Sequence, residues 1–362
     1  MERIVVDPNS AVYALQRVMF ADTDRFTESV AFSSDGQILA AGVDCHVYLW
    51  QVADGKFLRM LRGHESTVQS VAFSPDGQTI ASGSGDETVR LWRAADGTLM
   101  HVLKHVHSVT SVAFSPNGQT LASGSLDNTV RLWQVVDGKS LHTLKEHTDR
   151  VTSVAFSPNG QVLASASWDQ TVRLWQVSDG ALLRTLEGNT GPVWCVVFSP
   201  NEQFLVSGAE KSAVQIWQVT DGTLLCTLST LGGHALTVTG LAFSPNGQIL
   251  ALGVGSSVQL WQIADDVFLR ASNRPVDSVE NRALFLGGES PISEPEDKAT
   301  RLWQVADKTF CLLCILEIGS HVNSMAFSPD GRLLALALGR GEVLLYQASI
   351  WQTFMPRRGK DI

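Results

Sequence analysis

The chain has 362 residues, 44% hydrophobic and 17% charged, with a formal net charge of -9 and a pI near 5.5. That balance supports a sizeable buried core and excludes an intrinsically disordered chain. The acidic charge argues against a phosphate-tracking surface, because nucleic-acid affinity comes largely from Lys and Arg, and it favours basic or neutral partners.

At the N-terminus, Met1 to Pro8 (MERIVVDP) has no basic region followed by an apolar stretch, so no secretory signal is expected. Val12 to Phe20 (VYALQRVMF) reads as a strand. From residue 28 a repeat sets in. A phenylalanine opens F-S-P-D/N-G or a close variant at Phe32, Phe73, Phe114, Phe156, Phe198, Phe243 and Phe327, and Phe285 fills the one gap in register. A second ladder of aromatics runs beside it: Trp50, Trp92, Trp133, Trp175, Trp217, Trp261, Trp303 and Tyr346. Each lies 18 or 19 residues after its phenylalanine, which makes eight units.

The third unit shows the internal pattern. Val109 to Phe114 (VTSVAF) reads as a strand and Ser115 to Gly118 as its turn. Thr120 to Ser125 (TLASGS) is a second strand and Thr129 to Val135 (TVRLWQV) a third. Asp137-Gly138 is a hairpin signal, and Ser140 to Leu144 is the fourth strand. Four short strands every 42 or so residues predict an all-β fold, a β-propeller of four-stranded antiparallel blades. A lone blade exposes both faces, so the ring must close on itself.

The repeat count predicts eight blades, with seven as the alternative. Residues 1–27 are expected to supply the ring-closing outer strand, residues 28–346 the propeller and 347–362 a tail. The competing choice is that Ser349 to Met355 (SIWQTFM) completes the last blade. The seventh unit, about 279–303, is degenerate: Gly287 to Asp297 (GGESPISEPED) puts Pro291 and Pro295 where a central strand would run. Proline cannot donate to a strand ladder, so a frayed or looped-out blade is expected there.

The units resemble the WD-repeat family, whose pattern joins a Gly-His pair, the F-S-P-D/N-G turn, a Ser-Gly-Ser strand, a turn Asp and a terminal Trp. The resemblance spans roughly residues 15 to 346. It implies a hydrogen-bonded His, Ser, Asp and Trp within each blade. The matching sets here are His64, Ser82, Asp86 and Trp92; His105, Ser123, Asp127 and Trp133; and His147, Ser165, Asp169 and Trp175. These hold blades together and catalyse nothing. Other units depart: Thr23 stands at the His position of the first, Asn189 and Lys211 at the His and Asp positions of the fifth, Gly255 at the Asp position of the sixth, and Ile318 with Arg340 in the eighth. Those blades are expected to rely on packing alone.

Catalytic motifs are absent from the sequence. No G-x-x-x-x-G-K-S/T phosphate loop, H-E-x-x-H zinc helix or G-x-S-x-G elbow occurs. Gly138-Lys139-Ser140 sits in a hairpin turn, and Cys311-x-x-Cys314 has no second pair to complete four metal ligands. No catalytic residue, metal or cofactor is expected, and no ionisable residue is read at the inner, channel-lining positions. The five cysteines are odd in number and scattered, which fits a reducing compartment and a cytoplasmic location. The longest apolar runs fall far short of the roughly 18 residues of a membrane span.

The resemblance implies docking of protein or peptide partners on the narrower face of the ring, around residues just before the turn Asp and on the first strand. There the sequence offers Trp168, Trp194 and Arg150, from adjacent units. Trp and Arg are the types most enriched at binding hot spots. The expected function is a non-catalytic interaction scaffold, with no nucleic-acid or membrane partner. The alternative is an enzyme or small-molecule binder using the central channel.

Overall fold

A computed structural model describes residues 13–20, 26–189, 191–210, 213–229, 237–265, 302–305, 308–339 and 341–348. Its strands form seven sheets. The first blade holds β2 (Thr27–Phe32), β3 (Ile38–Val43), β4 (His46–Gln51) and β5 (Phe57–Arg62), and the second β6 (Val68–Phe73), β7 (Thr79–Ser84), β8 (Thr88–Arg93) and β9 (Leu99–Lys104). The third comprises β10 (Val109–Phe114), β11 (Thr120–Ser125), β12 (Val130–Gln134) and β13 (Ser140–Leu144). The fourth comprises β14 (Val151–Phe156), β15 (Val162–Ser167), β16 (Val172–Gln176) and β17 (Leu182–Leu186). The fifth is β18 (Val193–Phe198), β19 (Phe204–Ala209), β20 (Ala213–Gln218) and β21 (Leu224–Ser229).

The sixth and seventh blades depart from this regular order. The sixth pairs β22 (Val238–Phe243), β23 (Ile249–Val254) and β24 (Ser257–Asp265) with β26 (Lys308–Glu317), and β25 (Leu302–Val305) adds a fifth strand beyond β26. The seventh joins β27 (Val322–Phe327), β28 (Leu333–Leu338) and β29 (Glu342–Ala348) to β1 (Tyr13–Phe20), which runs antiparallel to β29 from Tyr13 opposite Ala348 to Phe20 opposite Glu342. Innermost strands touch in sequence around a closed circle, with β22 against β27 and β27 against β2.

The ring therefore has seven blades, and the expectation of eight is corrected. Two facts exclude the extra blade. The third strand of the sixth blade pairs directly with Lys308–Glu317, and β22 abuts β27, leaving no space between them. Trp303, counted as the end of a unit, lies in the edge strand β25. Phe285 and the proline-bearing stretch fall outside the described residues. The physical reason is competition for one edge: β24 needs an outer partner, and the apolar run KTFCLLCILE meets that need.

Inside a blade the inner strand does not follow simple alternation. Val109 and Val112 are both buried although three residues apart, because the ladder shifts register between Val109 and Ser111. Such a bulge adds one residue and resets which face follows. It recurs at the same place in all seven inner strands. Each inner strand is also a sheet edge, whose free N–H groups need acceptors. The neighbouring blade supplies one: Val112 N–H donates to Ser70 Oγ at 3.1 Å and Val154 N–H to Ser111 Oγ at 3.1 Å.

The core lies between blades. One cluster joins Ala122, Val130, Leu132 and Leu144 of the third blade to Val151, Val154, Leu163 and Trp175 of the fourth. Burying a Leu such as Leu163 fully is worth about 1.5–3 kcal/mol. The second strands are buried on both faces and so carry small residues: a Cβ added at Gly124 would lie 2.7 Å from Val151 Cγ1 of the next blade.

Candidate functional site

The three complete blades carry the same hydrogen-bonded chain. Trp92 Nε1–H donates to Ser82 Oγ at 2.8 Å, Ser82 Oγ lies 2.7 Å from His64 Nε2, and His64 Nδ1 lies 2.8 Å from Asp86 Oδ2. The indole occupies the serine as a donor, so the serine hydroxyl donates to Nε2 and the ring proton sits on Nδ1, facing the carboxylate. The equivalent contacts are 2.7, 2.7 and 3.3 Å for Trp133, Ser123, His105 and Asp127. They are 2.8, 2.7 and 2.7 Å for Trp175, Ser165, His147 and Asp169.

Burial holds the His64 and His105 imidazoles below the ordinary histidine value, which outweighs the pull of Asp86 and Asp127 in the other direction. For the carboxyls, burial pushes up, but hydrogen bonds from the histidines and from Thr88, Thr129 and Thr171 outweigh it. Asp86, Asp127 and Asp169 all sit below the ordinary carboxylate value. A neutral histidine locked between a hydroxyl and a carboxylate fixes two loops; it has no free lone pair for chemistry.

The fifth blade does not rely on packing alone, as the sequence suggested. Trp217 Nε1–H donates to Ser207 Oγ at 2.9 Å, and Ser207 Oγ donates to Asn189 Oδ1 at 3.3 Å, so asparagine takes over part of the histidine's role. In the sixth blade Leu252 occupies the serine position, and the buried Trp261 Nε1 has no acceptor among the described residues. Thr23, Lys211 and Arg340 lie outside the described residues.

Arg150, Trp168 and Trp194 come together. Arg150 immediately precedes β14, and its carbonyl accepts from the Trp168 backbone N–H at 3.0 Å, in the turn after β15. Trp194 stands at the bulge of β18 in the next blade. The Arg150 guanidinium carbon lies 3.8 Å from the centroid of the Trp168 ring. Trp168 and Trp194 meet edge to face, with centroids 5.1 Å apart and an interplanar angle of 67°. All three side chains are half-buried, and neither buried indole N–H finds an acceptor among the described residues. Among the described residues the guanidinium has one polar neighbour, Asp149 Oδ1, 3.9 Å from Nε.

Trp194 departs from a pattern that four of the seven blades share. At the same inner position Thr110, Thr152 and Thr239 donate their hydroxyls to the next blade's Val151, Val193 and Val322 carbonyls at 2.7, 2.7 and 2.6 Å. Asn323 does the same toward Thr27 O at 2.9 Å. A tryptophan cannot, and in the fifth blade the neighbouring Cys195 Sγ reaches Val238 O at 3.4 Å instead. A hydroxyl donor has been replaced by an aromatic surface, while the adjacent thiol keeps a contact across the seam.

The sequence reading missed two features. Glu28 occupies the inner position in the first blade, so an ionisable residue does stand among the channel positions, contrary to expectation; burial pushes its carboxyl up while nearby His321 pulls it down. Asp44, Cys45 and His46 bring a carboxylate, a thiol and an imidazole within 4.8 Å of one another in the first blade's turn, with Cys45 Sγ 3.3 Å from His46 Nδ1. Both were visible as residue types, but only the turn geometry brings the second group together. Burial pushes the thiols of Cys195 and Cys226 up to about 12 and about 11, so neither is a ready nucleophile.

A closed ring of four-stranded blades, stitched by repeated Trp-Ser-His-Asp chains, defines a repeat-type β-propeller. A family model described as the WDR3 first beta-propeller domain matches residues 37–219, and the model for the WD domain, G-beta repeat, matches residues 17–51, 225–262 and 312–340. The chain belongs to the WD-repeat β-propeller family. It is similar to an uncharacterized WD repeat-containing protein of Nostoc sp. (strain PCC 7120), 44% identical over 66 residues, a match covering 15% of this chain and 5% of that relative's length. Propellers of this family are commonly protein-interaction scaffolds and are generally non-enzymatic.

Proposed function

We propose that the protein is a non-catalytic, cytoplasmic docking platform that holds a protein or peptide partner on the narrow face of the ring, at Arg150, Trp168 and Trp194. The observation that carries this reading is the departure at Trp194. Where four of the seven blades place a Thr or Asn that bonds across the seam, the fifth places Trp194, which extends a half-buried Trp and Arg surface from the adjacent blade. Aromatic anchors with few rotatable bonds lose little entropy on binding, which is why they dominate interface energetics. The net charge of -9 speaks against a nucleic-acid partner. Among the described residues no helix is long and apolar enough to cross a membrane.

The test is a pull-down with wild-type protein and a Trp168→Ala/Trp194→Ala variant. Loss of a specific partner at unchanged melting temperature supports the site; identical partner sets remove it. The second reading, a channel binder or enzyme, draws on Glu28 alone. It requires a small molecule whose retention by the purified protein depends on Glu28 and not on the tryptophans.

A further inference from the structure

Resting on the docking site proposed above, we infer that the partner segment brings a carboxylate: an Asp or Glu side chain beside an apolar residue, seated on Arg150 with its neighbour against Trp168 and Trp194. Every polar group the cluster offers is a donor. The guanidinium makes no hydrogen bond to a described residue and only the long contact to Asp149, so its forked N–H groups remain available. A cation–π contact, with the guanidinium carbon 3.8 Å from the Trp168 ring centroid, restrains the Arg150 side chain without using its N–H groups in a hydrogen bond to a described residue. Trp194 in turn buttresses Trp168 from the next blade. The fork is thereby held before any partner arrives, which lowers the ordering cost of a bidentate contact. The indole N–H groups of Trp168 and Trp194 are buried, so the guanidinium is the cluster's accessible donor.

Other ligand chemistries fit less well. A cation seated on an aromatic face needs that face free, and Arg150 already covers one face of Trp168. A phosphate dianion suits the site less than a carboxylate, because Asp149 beside Arg150 offsets part of its charge. The overall charge of -9 does not oppose the contact, since screening at physiological salt confines charge effects to about 8 Å, where Arg150 dominates.

Random dodecamer peptides displayed on phage and selected on the immobilised full-length protein provide the test. The expected outcome is enrichment of Asp or Glu next to an apolar residue. A synthetic peptide of the selected sequence should then bind about tenfold more weakly to Arg150→Gln, and its Asp→Asn or Glu→Gln version about tenfold more weakly to the wild type. The two changes together should cost little more than either alone, as expected for partners in one charge-assisted contact. Arg150→Lys, which keeps the charge and loses the fork, should retain only part of the affinity. Selected peptides that need Trp168 and Trp194 but bind equally well without an acidic residue would overturn the carboxylate inference and leave the docking site standing. Peptides that bind the Trp168→Ala/Trp194→Ala variant unchanged, or no selected peptides at all, would overturn both.

Discussion

Val18, near the start of the chain, lies opposite Leu344, near its end, in the sheet that closes the ring. The seventh blade thus draws its outer strand from one terminus and its other three from the other. Met19 beside Val18 is 3% exposed and joins Val343 and Leu345 to Val30 and Leu39 of the first blade. We expect Met19→Ala to destabilise the protein by about 2–5 kcal/mol, as for other large-to-small core changes. Denaturant unfolding checks this. A loss below about 1 kcal/mol would mean the first strand contributes little to closure.

Ser123 is the hub of its blade, accepting from Trp133 Nε1 and bonded to His105 Nε2. Ser123→Ala leaves both nitrogens buried without a partner, at about 1–3 kcal/mol for each. In the sixth blade the Trp261 Nε1 has no partner among the described residues, so Leu252→Ser should recover part of that cost, offset by the smaller side chain's poorer packing. Parallel urea titrations of the two variants report the difference in sign or size.

Acid should weaken the fold in two stages. The folded His64 and His105 take up protons less readily than unfolded histidine, whose ordinary value is 6.5. Their contribution is complete above that value and is lost as pH falls below it. Asp86, Asp127 and Asp169 titrate below the ordinary 3.8, so their contribution persists above that pH and is lost as pH falls below it. Urea midpoints at pH 8, 7, 6, 5, 4 and 3 should be flat at first, then fall below about pH 6.5 and fall again below about pH 4. A midpoint unchanged down to pH 5 would contradict the neutral histidine assignment.

Asp265 and Lys308 stand opposite each other at the open end of the β24 and β26 ladder. Replacing residues 266–307 with a two-residue Asn-Gly turn should leave a folded, cooperatively melting ring, because the sixth blade keeps all four of its strands. Far-ultraviolet circular dichroism and a thermal melt measure this. If those residues formed an eighth blade, the deletion would open the ring and abolish the cooperative transition.

Much of this architecture was legible in the sequence because it is local. The F-S-P-D/N-G turns and the aromatic ladder encode short strands and tight turns, and the Ser115 turn closes through its own hydroxyl, bonded to Thr120 N–H at 2.9 Å. Spacing alone was misleading at Trp303, which lies in the edge strand β25. The aromatic period persists there, but strand partnership depends on which segment competes best for the free edge of β24.

The sequence by itself determined the blade and its four strands, since each follows from residue type at fixed separation within one repeat, and its resemblance to WD repeats implied the hydrogen-bonded Trp, Ser, His and Asp sets. Only the tertiary structure decided the number of blades, the antiparallel seating of Val18 on Leu344, and the meeting of Trp168 with Trp194. Those depend on closing the circle. Curvature and the packing between neighbouring sheets are collective properties, and no single repeat contains them.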